Sequence, residues 1–144
     1  MTHSAAFADE SIINPERAKE ALKSASSDTR EKAAEYLGDI RYNKATDALI
    51  ATLNDVEDDV REEAVRSLGK IGDNSKKTVD ALIYQLGDGA GGVRCAAAEA
   101  LAKIGDPKAI EPIRKQRAAE GNPINQVRMQ RAIDQIYEKQ PPTK

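Results

Sequence analysis

The chain has 144 residues, a formal net charge of −2 and a single cysteine. This length suits one domain with its own buried core. The near-neutral charge gives no overall attraction to nucleic acid or anionic membranes, and one cysteine excludes an internal disulfide framework. No apolar run approaches the roughly 20 residues of a membrane-spanning helix. The first residues lack the pattern of a secretory signal, so a cytoplasmic location is expected.

The first predicted element is an N-terminal arm over residues 1–14, for which the sequence does not decide between order and disorder. Four helical units are then predicted, because apolar residues recur three and four positions apart. Each unit consists of a first helix, a polar turn, a second helix and a short link. The units cover residues 15–42, 43–74, 75–106 and 107–139, and a C-terminal tail over 140–144 follows.

The second helices carry the strongest repeat. In each copy an arginine is followed by small or aliphatic residues three and four positions later, a leucine at seven and an isoleucine at ten. The copies begin at Arg30, Arg61 and Arg94, which are 31 and 33 residues apart. Self-similarity at this period indicates a repeat array, in which each unit buries its apolar stripe against its neighbours.

The fourth unit departs from this pattern. Its apolar residues fit the repeat only if Gln126 takes the arginine position, although Val127-Arg128 resembles Val93-Arg94. We prefer the alignment on Gln126, because burial of the apolar positions decides the register of a helix. An atypical last unit is expected at the end of a stack, where the outer face meets water.

The second unit carries the motif Asp59-Val60-Arg61, Ala64-Val65, Leu68-Gly69 and Ile71-Gly72-Asp73, with near copies on both sides. This motif resembles the HEAT family, specifically the short HEAT-like repeats associated with phycobilisome lyase subunits. The resemblance covers about residues 15–139. It implies an all-α fold, an α-α superhelix or solenoid of about four helical pairs, with the second helices lining the concave side.

The recurrent arginines are predicted to be structural. Arg30, Arg61 and Arg94 would form a ladder in which each guanidinium binds a carboxylate or carbonyl of an adjacent unit, since a planar fork satisfies several acceptors at once. An anion-binding ladder is the alternative. Recurrence at the repeat period favours the structural interpretation, because a binding site would interrupt the period.

Helix ends also follow the repeat. Asp28 and Asp59 each precede a glutamate by three positions, which is the spacing of a capping box, so both are predicted to cap second helices. Gly72 and Gly105 follow the last apolar residue of their helices. Both are predicted C-caps with a positive φ.

A binding surface is predicted on the second helices. Positions one, five and nine after each arginine are expected to face the concave groove, and the residues nine after are Asp39, Lys70 and Lys103. The groove would be acidic at its N-terminal end and small and apolar near Cys95, Ala96 and Ala100. A solvated face with ordinary salt bridges is the alternative. The predicted partner-binding residues are Glu31, Glu35, Glu62, Arg66, Cys95, Glu99 and Lys103.

Enzyme chemistry lacks its usual groups in this sequence. His3 is the only histidine, so the His-Glu pairs of HEAT-like di-iron hydroxylases, a zinc cluster and a serine triad have no ligands or base. The glycine-rich stretch 87–92 has no preceding strand and no Gly-Lys-Ser/Thr, which excludes a Walker-type loop. No catalytic residue, metal or cofactor is therefore expected.

The sequence thus predicts a non-catalytic protein-binding or scaffold module whose partner is another protein or a peptide segment. Two alternatives stay open: an accessory subunit of an enzyme complex, for which bilin lyase subunits are the family precedent, and a self-associating structural unit. Self-association is considered because eight acidic and four basic residues occupy 43–74, whereas seven basic and four acidic residues occupy 107–139. Nucleic-acid binding is disfavoured, since the basic end has one aromatic residue and no dense lysine run.

Overall fold

The computed structural model describes residues 14–143, so the predicted N-terminal arm lies outside the described residues except for Asn14. These residues form eight α-helices and no strand. The 3-10 helices Asn43–Ala45 and Pro107–Ala109 precede the third and seventh α-helices. The α-helices are α1 (Pro15–Ala21), α2 (Ser27–Asp39), α3 (Thr46–Thr52), α4 (Asp58–Ile71), α5 (Lys76–Gln85), α6 (Gly91–Ile104), α7 (Ile110–Ala119) and α8 (Pro123–Glu138).

Shorter and longer helices alternate along the chain, and each predicted unit holds one of each. The second helices α2, α4, α6 and α8 pack in that order, each against the next. Each first helix packs mainly against the second helix of its own unit. The fold is an all-α solenoid in which the second helices form one continuous layer and the first helices form the other.

The core follows the repeat positions that the sequence marks. The leucines seven residues after each arginine, Leu37, Leu68 and Leu101, have no exposed surface. The small or aliphatic residues three and four positions after each arginine are equally buried. Burial of these stripes against neighbouring units supplies the main stabilisation, at about 25 cal/mol per Å² of apolar surface.

The alignment of the fourth unit on Gln126 is confirmed. Ile133 and Ile136 are 2% and 0% exposed, whereas Val127 is 58% exposed. The side-chain amide of Gln126 donates to the carbonyl oxygen of Glu120 at 2.5 Å, six residues earlier. Burial therefore decides the register here, and the local likeness of Val127-Arg128 to an earlier motif does not.

Small residues let adjacent second helices approach closely. A Cβ atom placed on Gly38 would clash with Ser67 Oγ, and one on Gly69 would lie 2.8 Å from Ala100 Cα. The Ser67 hydroxyl donates to the carbonyl oxygen of Ala34 at 2.5 Å, so the buried polar group is satisfied across the same interface. The spacing between adjacent second helices thus depends on Gly38 and Gly69, which follow Arg30 and Arg61 by eight residues.

Left-handed residues end the second helices of the first three units. Gly72 and Gly105 have φ of 75° and 83°, which confirms both as C-caps. Arg41 occupies the matching position after α2 with φ of 52° and is the only non-glycine residue with a positive φ in the described part of the chain. A residue with a Cβ pays roughly 1–2 kcal/mol for this conformation.

Replacement of Arg41 by glycine is therefore expected to raise the free energy of unfolding by about 1 kcal/mol, because glycine adopts the left-handed region without a Cβ clash. The measurement is equilibrium unfolding in urea. Arg41→Ala serves as the control, since it removes the same side chain but keeps the Cβ. Equal stability of the two variants would show that backbone strain does not explain the effect.

Candidate binding surface on the second helices

An arginine ladder joins the turns of successive units. Arg30 binds Asp55 through Nε and Nη2 at 2.7 and 3.1 Å. Arg61 binds Asp88 in the same way at 2.9 and 3.0 Å. Arg94 binds the carboxylate of Glu120 at 2.8 and 3.0 Å. In every case Nη1 also donates to turn carbonyls five and six residues before the arginine.

The acceptor carboxylates also organise the start of the next second helix. Asp55 accepts the N–H of Glu57 at 3.0 Å, and Asp88 accepts the N–H of Ala90 at 2.8 Å. Burial raises the pKa of both aspartates, but the hydrogen bonds from arginine and backbone outweigh it, so each pKa lies below its usual value. All three guanidinium groups are thus committed to structural contacts.

The predicted N-caps Asp28 and Asp59 are wrong, because both second helices begin before these residues. Ser26 is the N-cap of α2, with an extended backbone and a hydroxyl that accepts the N–H of Thr29. Glu57 holds the N-cap position of α4 without a side-chain cap. Asp28 and Asp59 lie in the first turns of their helices. Their negative charges interact favourably there with the positive N-terminal end of the helix dipole.

Carboxylates dominate the N-terminal end of the second-helix layer. Burial raises the pKa of Glu31, and the negative charges of Asp59 and Asp28 add to the effect. Burial likewise raises the pKa of Glu63, which is 9% exposed. Charge repulsion and loss of solvent thus make this end less favourable for a further anion.

Glu62 is held by its surroundings. It pairs with Arg66, one helical turn later. A Cβ on Gly92 would lie 2.5 Å from Glu62 Oε1, so the glycine at the start of α6 makes room for this carboxylate. Gly92 stands two residues before Arg94, at the position that Asp28 and Asp59 hold in the first two units. The contact with Glu62 gives this glycine a role in packing.

Farther along the layer, a depression of about 310 Å³ spans α4, α6 and α8. Ala96, Ala100 and Ala132 form its floor and are at most 2% exposed. We call this feature the cationic pocket, because five basic side chains and one carboxylate line it. The remaining lining residues are Arg66, Lys70, Lys103, Arg128, Arg131, Glu99 and Gln135.

Three of the five cations already have carboxylate partners. Arg66 pairs with Glu62, and Lys70 binds Asp39 at 2.7 Å across the boundary between α2 and α4. Arg128 makes two hydrogen bonds of 2.9 Å to Glu99. Within residues 14–143, Lys103 and Arg131 have neither an ion pair nor a side-chain hydrogen bond, and both are exposed.

The prediction of Cys95 on the accessible groove is wrong. Cys95 has no exposed surface, and its thiol faces the carbonyl oxygen of Asn125 at 3.9 Å. Because α8 packs over this part of α6, burial raises the thiol pKa. Cys95 therefore contributes to packing and is not available to a partner.

The other predicted surface residues divide into two groups. Arg66, Glu99 and Lys103 line the cationic pocket, whereas Glu31, Glu35 and Glu62 lie outside it. Lys70, Ala96 and Ala100, which the sequence also placed in the groove, line the pocket as well. The lining residues of α8 were not predicted, although they follow Gln126 by two, five, six and nine positions, which are groove offsets in the earlier units or lie next to them. They are Arg128, Arg131, Ala132 and Gln135.

Two features of residues 14–143 limit the class of site. No group of three or more histidine, cysteine, aspartate or glutamate side chains in this range has an arrangement that could hold a metal ion. No helix in the same range is both long enough and apolar enough to span a membrane.

The sequence matches the family described as HEAT repeats over residues 15–83 and 47–133. The matched ranges cover most of the chain, so this chain belongs to the HEAT-repeat family. The family resemblance of the arginine-centred motif and the all-α solenoid are both confirmed. Comparison with curated proteins gives no match.

Solved structures share the fold. The chain is similar to the structure of the complex of CpcE and CpcF of phycocyanin lyase from Nostoc sp. PCC7120, with 31% identity and a TM-score of 0.70. The match covers 84% of this chain and 53% of that one, so the chain spans about half of the length of this relative. Two engineered proteins are 23% identical with TM-scores of 0.57, and the matches cover 86% and 85% of this chain and 62% and 37% of theirs.

Proposed function

We propose that this chain is a non-catalytic binding module that presents the layer of second helices to a segment of a partner protein. The cationic pocket is the observation that carries the proposal. Its alanine floor leaves a depression across three units, and its basic rim offers charges that internal contacts do not fully neutralise. Shape and charge of this kind suit recognition of a protein segment with little change of the backbone.

An accessory subunit of an enzyme complex is the second candidate. The similarity to a chain of the CpcE and CpcF complex favours it, because that structure contains two different subunits. In this case the partner would supply the catalytic groups, and the layer of second helices would form the contact between subunits. Both candidates require a protein partner, so one experiment tests their common basis.

A steric block of the pocket tests that basis. Gln135 lines the pocket and is exposed, so Gln135→Trp should place an indole in the depression without changing the net charge. We expect tagged wild type to enrich a partner from extracts of the native host and the variant to lose it. The matched control is Ala118→Trp, which puts the same aromatic on an exposed position of α7.

The partner identified by mass spectrometry would then be purified and its complex re-formed with each variant. Loss with Gln135→Trp and retention with Ala118→Trp supports binding at the pocket. Equal retention by both variants contradicts it. A partner whose enzymatic rate changes on binding would select the accessory-subunit alternative, and concentration-dependent mass without a partner would select self-association.

A further inference from the structure

The charges of the cationic pocket are unevenly satisfied. The carboxylate of Glu99 is committed to Arg128 through two hydrogen bonds, so it does not neutralise the other lining cations. Arg66 and Lys70 are also paired. The unneutralised charge therefore rests on Lys103 and Arg131, which come from α6 and α8 and line the same depression.

The floor between these cations admits close approach. Ala96, Ala100 and Ala132 present only methyl groups and leave a depression of about 310 Å³. This volume accommodates a few side chains but is too small to receive a folded domain. An anionic group that enters it meets two unpaired cations and an apolar base, and it displaces no existing ion pair.

The neighbouring surface limits the length of the anion. Toward the N-terminal end, the same layer carries Glu31, Glu35 and Glu62, and the raised pKa of Glu31 reflects its burial and the surrounding negative charge. A nucleic-acid strand that continued along the layer would place phosphates against these carboxylates. Aromatic side chains, on which bases stack, do not line the pocket. A short acidic stretch of a protein fits both conditions.

We propose that the cationic pocket binds carboxylate side chains of a short acidic segment of the partner protein, with Lys103 and Arg131 as the contacting cations. This inference rests on the proposed function and names the chemistry of its partner. Lysine offers three donors on a flexible stem, and arginine offers a planar fork that binds a carboxylate through two hydrogen bonds. The acidic end of the layer would favour basic residues beside the acidic segment.

The test uses a fluorescein-labelled peptide of alternating glutamate and alanine, with fluorescence anisotropy as the readout. The comparison peptide replaces each glutamate with glutamine. We expect binding of the glutamate peptide only, with an affinity that weakens as salt rises from about 50 to about 300 mM. The double variant Lys103→Glu/Arg131→Glu should lose affinity by about tenfold or more, because two attractive contacts become repulsive.

The matched control is Arg17→Glu/Lys115→Glu, which makes the same change of net charge at exposed positions of α1 and α7. Wild-type affinity in this control, with loss in the pocket variant, supports the proposal. Circular dichroism and urea unfolding of both variants establish that they fold. An equal loss of affinity for the glutamate peptide in both variants would show that the effect comes from net charge alone, and it would overturn the proposal.

Two further outcomes overturn it. Tighter binding of a labelled oligothymidine than of the glutamate peptide would assign the pocket to nucleic acid, and equal binding of both peptides would remove the role of carboxylates. Capture of the partner separates this inference from the proposed function. A partner lost by Gln135→Trp but retained by the charge-reversed pocket variant would uphold a protein-binding pocket while rejecting an acidic segment.

Discussion

Replacement of Asp88 by alanine is expected to lower the free energy of unfolding by about 3 kcal/mol. The Asp88 side chain is only 9% exposed and accepts two hydrogen bonds from Arg61 as well as the N–H of Ala90. Its loss leaves the Arg61 guanidinium, whose side chain is 18% exposed, with carbonyl partners alone. Equilibrium unfolding in urea measures the change.

Asp80→Ala is the matched control, because it also removes an aspartate that forms ion pairs. Asp80 binds Lys76 and Lys108, but its side chain is 46% exposed. Water screens such pairs, so the expected loss is below about 1 kcal/mol. Equal losses in the two variants would contradict a structural role for the ladder.

The effect of Asp88→Ala should also depend on pH. The pKa of Asp88 is below its usual value in the folded chain, because hydrogen bonds from Arg61 and Ala90 outweigh the opposing effect of burial. The ionised carboxylate thus stabilises the fold fully above the unfolded pKa of about 4, and this contribution is lost as pH falls through the lower folded pKa. The difference between wild type and variant is expected to shrink over that range.

Replacement of Gly69 by valine is expected to cost about 3 kcal/mol, at the upper end of overpacking effects. The new Cβ would lie 2.8 Å from both Cα and Cβ of Ala100. Neither atom belongs to a flexible side-chain end, so α4 and α6 must move apart. Thermal and urea unfolding would report the loss, and circular dichroism would show whether helices persist.

Gly121→Val is the control for this substitution, since a Cβ at that position meets nothing within 4 Å. Its expected effect is within about 0.5 kcal/mol, as for other unconstrained surface positions. If Gly69→Val were as stable as Gly121→Val, the close approach of the second helices would not limit this interface.

Periodicity predicted the fold because the repeat positions and the buried positions are the same. Leu68 and its equivalents mark a stripe that only neighbouring units can cover, and the alignment on Gln126 succeeded on the same physical ground. The prediction that Asp28 and Asp59 cap their helices was wrong, because an aspartate three residues before a glutamate can also lie inside the first turn of a helix. The spacing alone does not place the residue at which a helix begins.

The candidate site was only partly predictable, because it depends on contacts between units. Cys95 occupies a groove position in the repeat, yet the packing of α8 removes it from the surface. Glu99 was predicted to be available to a partner, whereas Arg128 from the next unit binds it. Toward the C-terminal end, the small and apolar stretch predicted around Ala96 and Ala100 forms the floor of a basic pocket. The rim of this pocket forms where side chains of three units meet.

The ladder carboxylates have a consequence for the pocket. Asp88 and Glu120 each accept an arginine from one unit and a backbone N–H at the start of the next second helix. Each carboxylate thus joins the arginine of the preceding unit to the start of the second helix in its own unit. It therefore belongs to a nearest-neighbour interface, and the energies of such interfaces govern cooperativity in a one-dimensional array. The pocket lies across α4, α6 and α8, so opening of either interface between these helices would change its width. Ligand affinity and local unfolding are therefore linked. A ligand that binds only when the interfaces between units are intact should protect the backbone amides of these helices from hydrogen exchange.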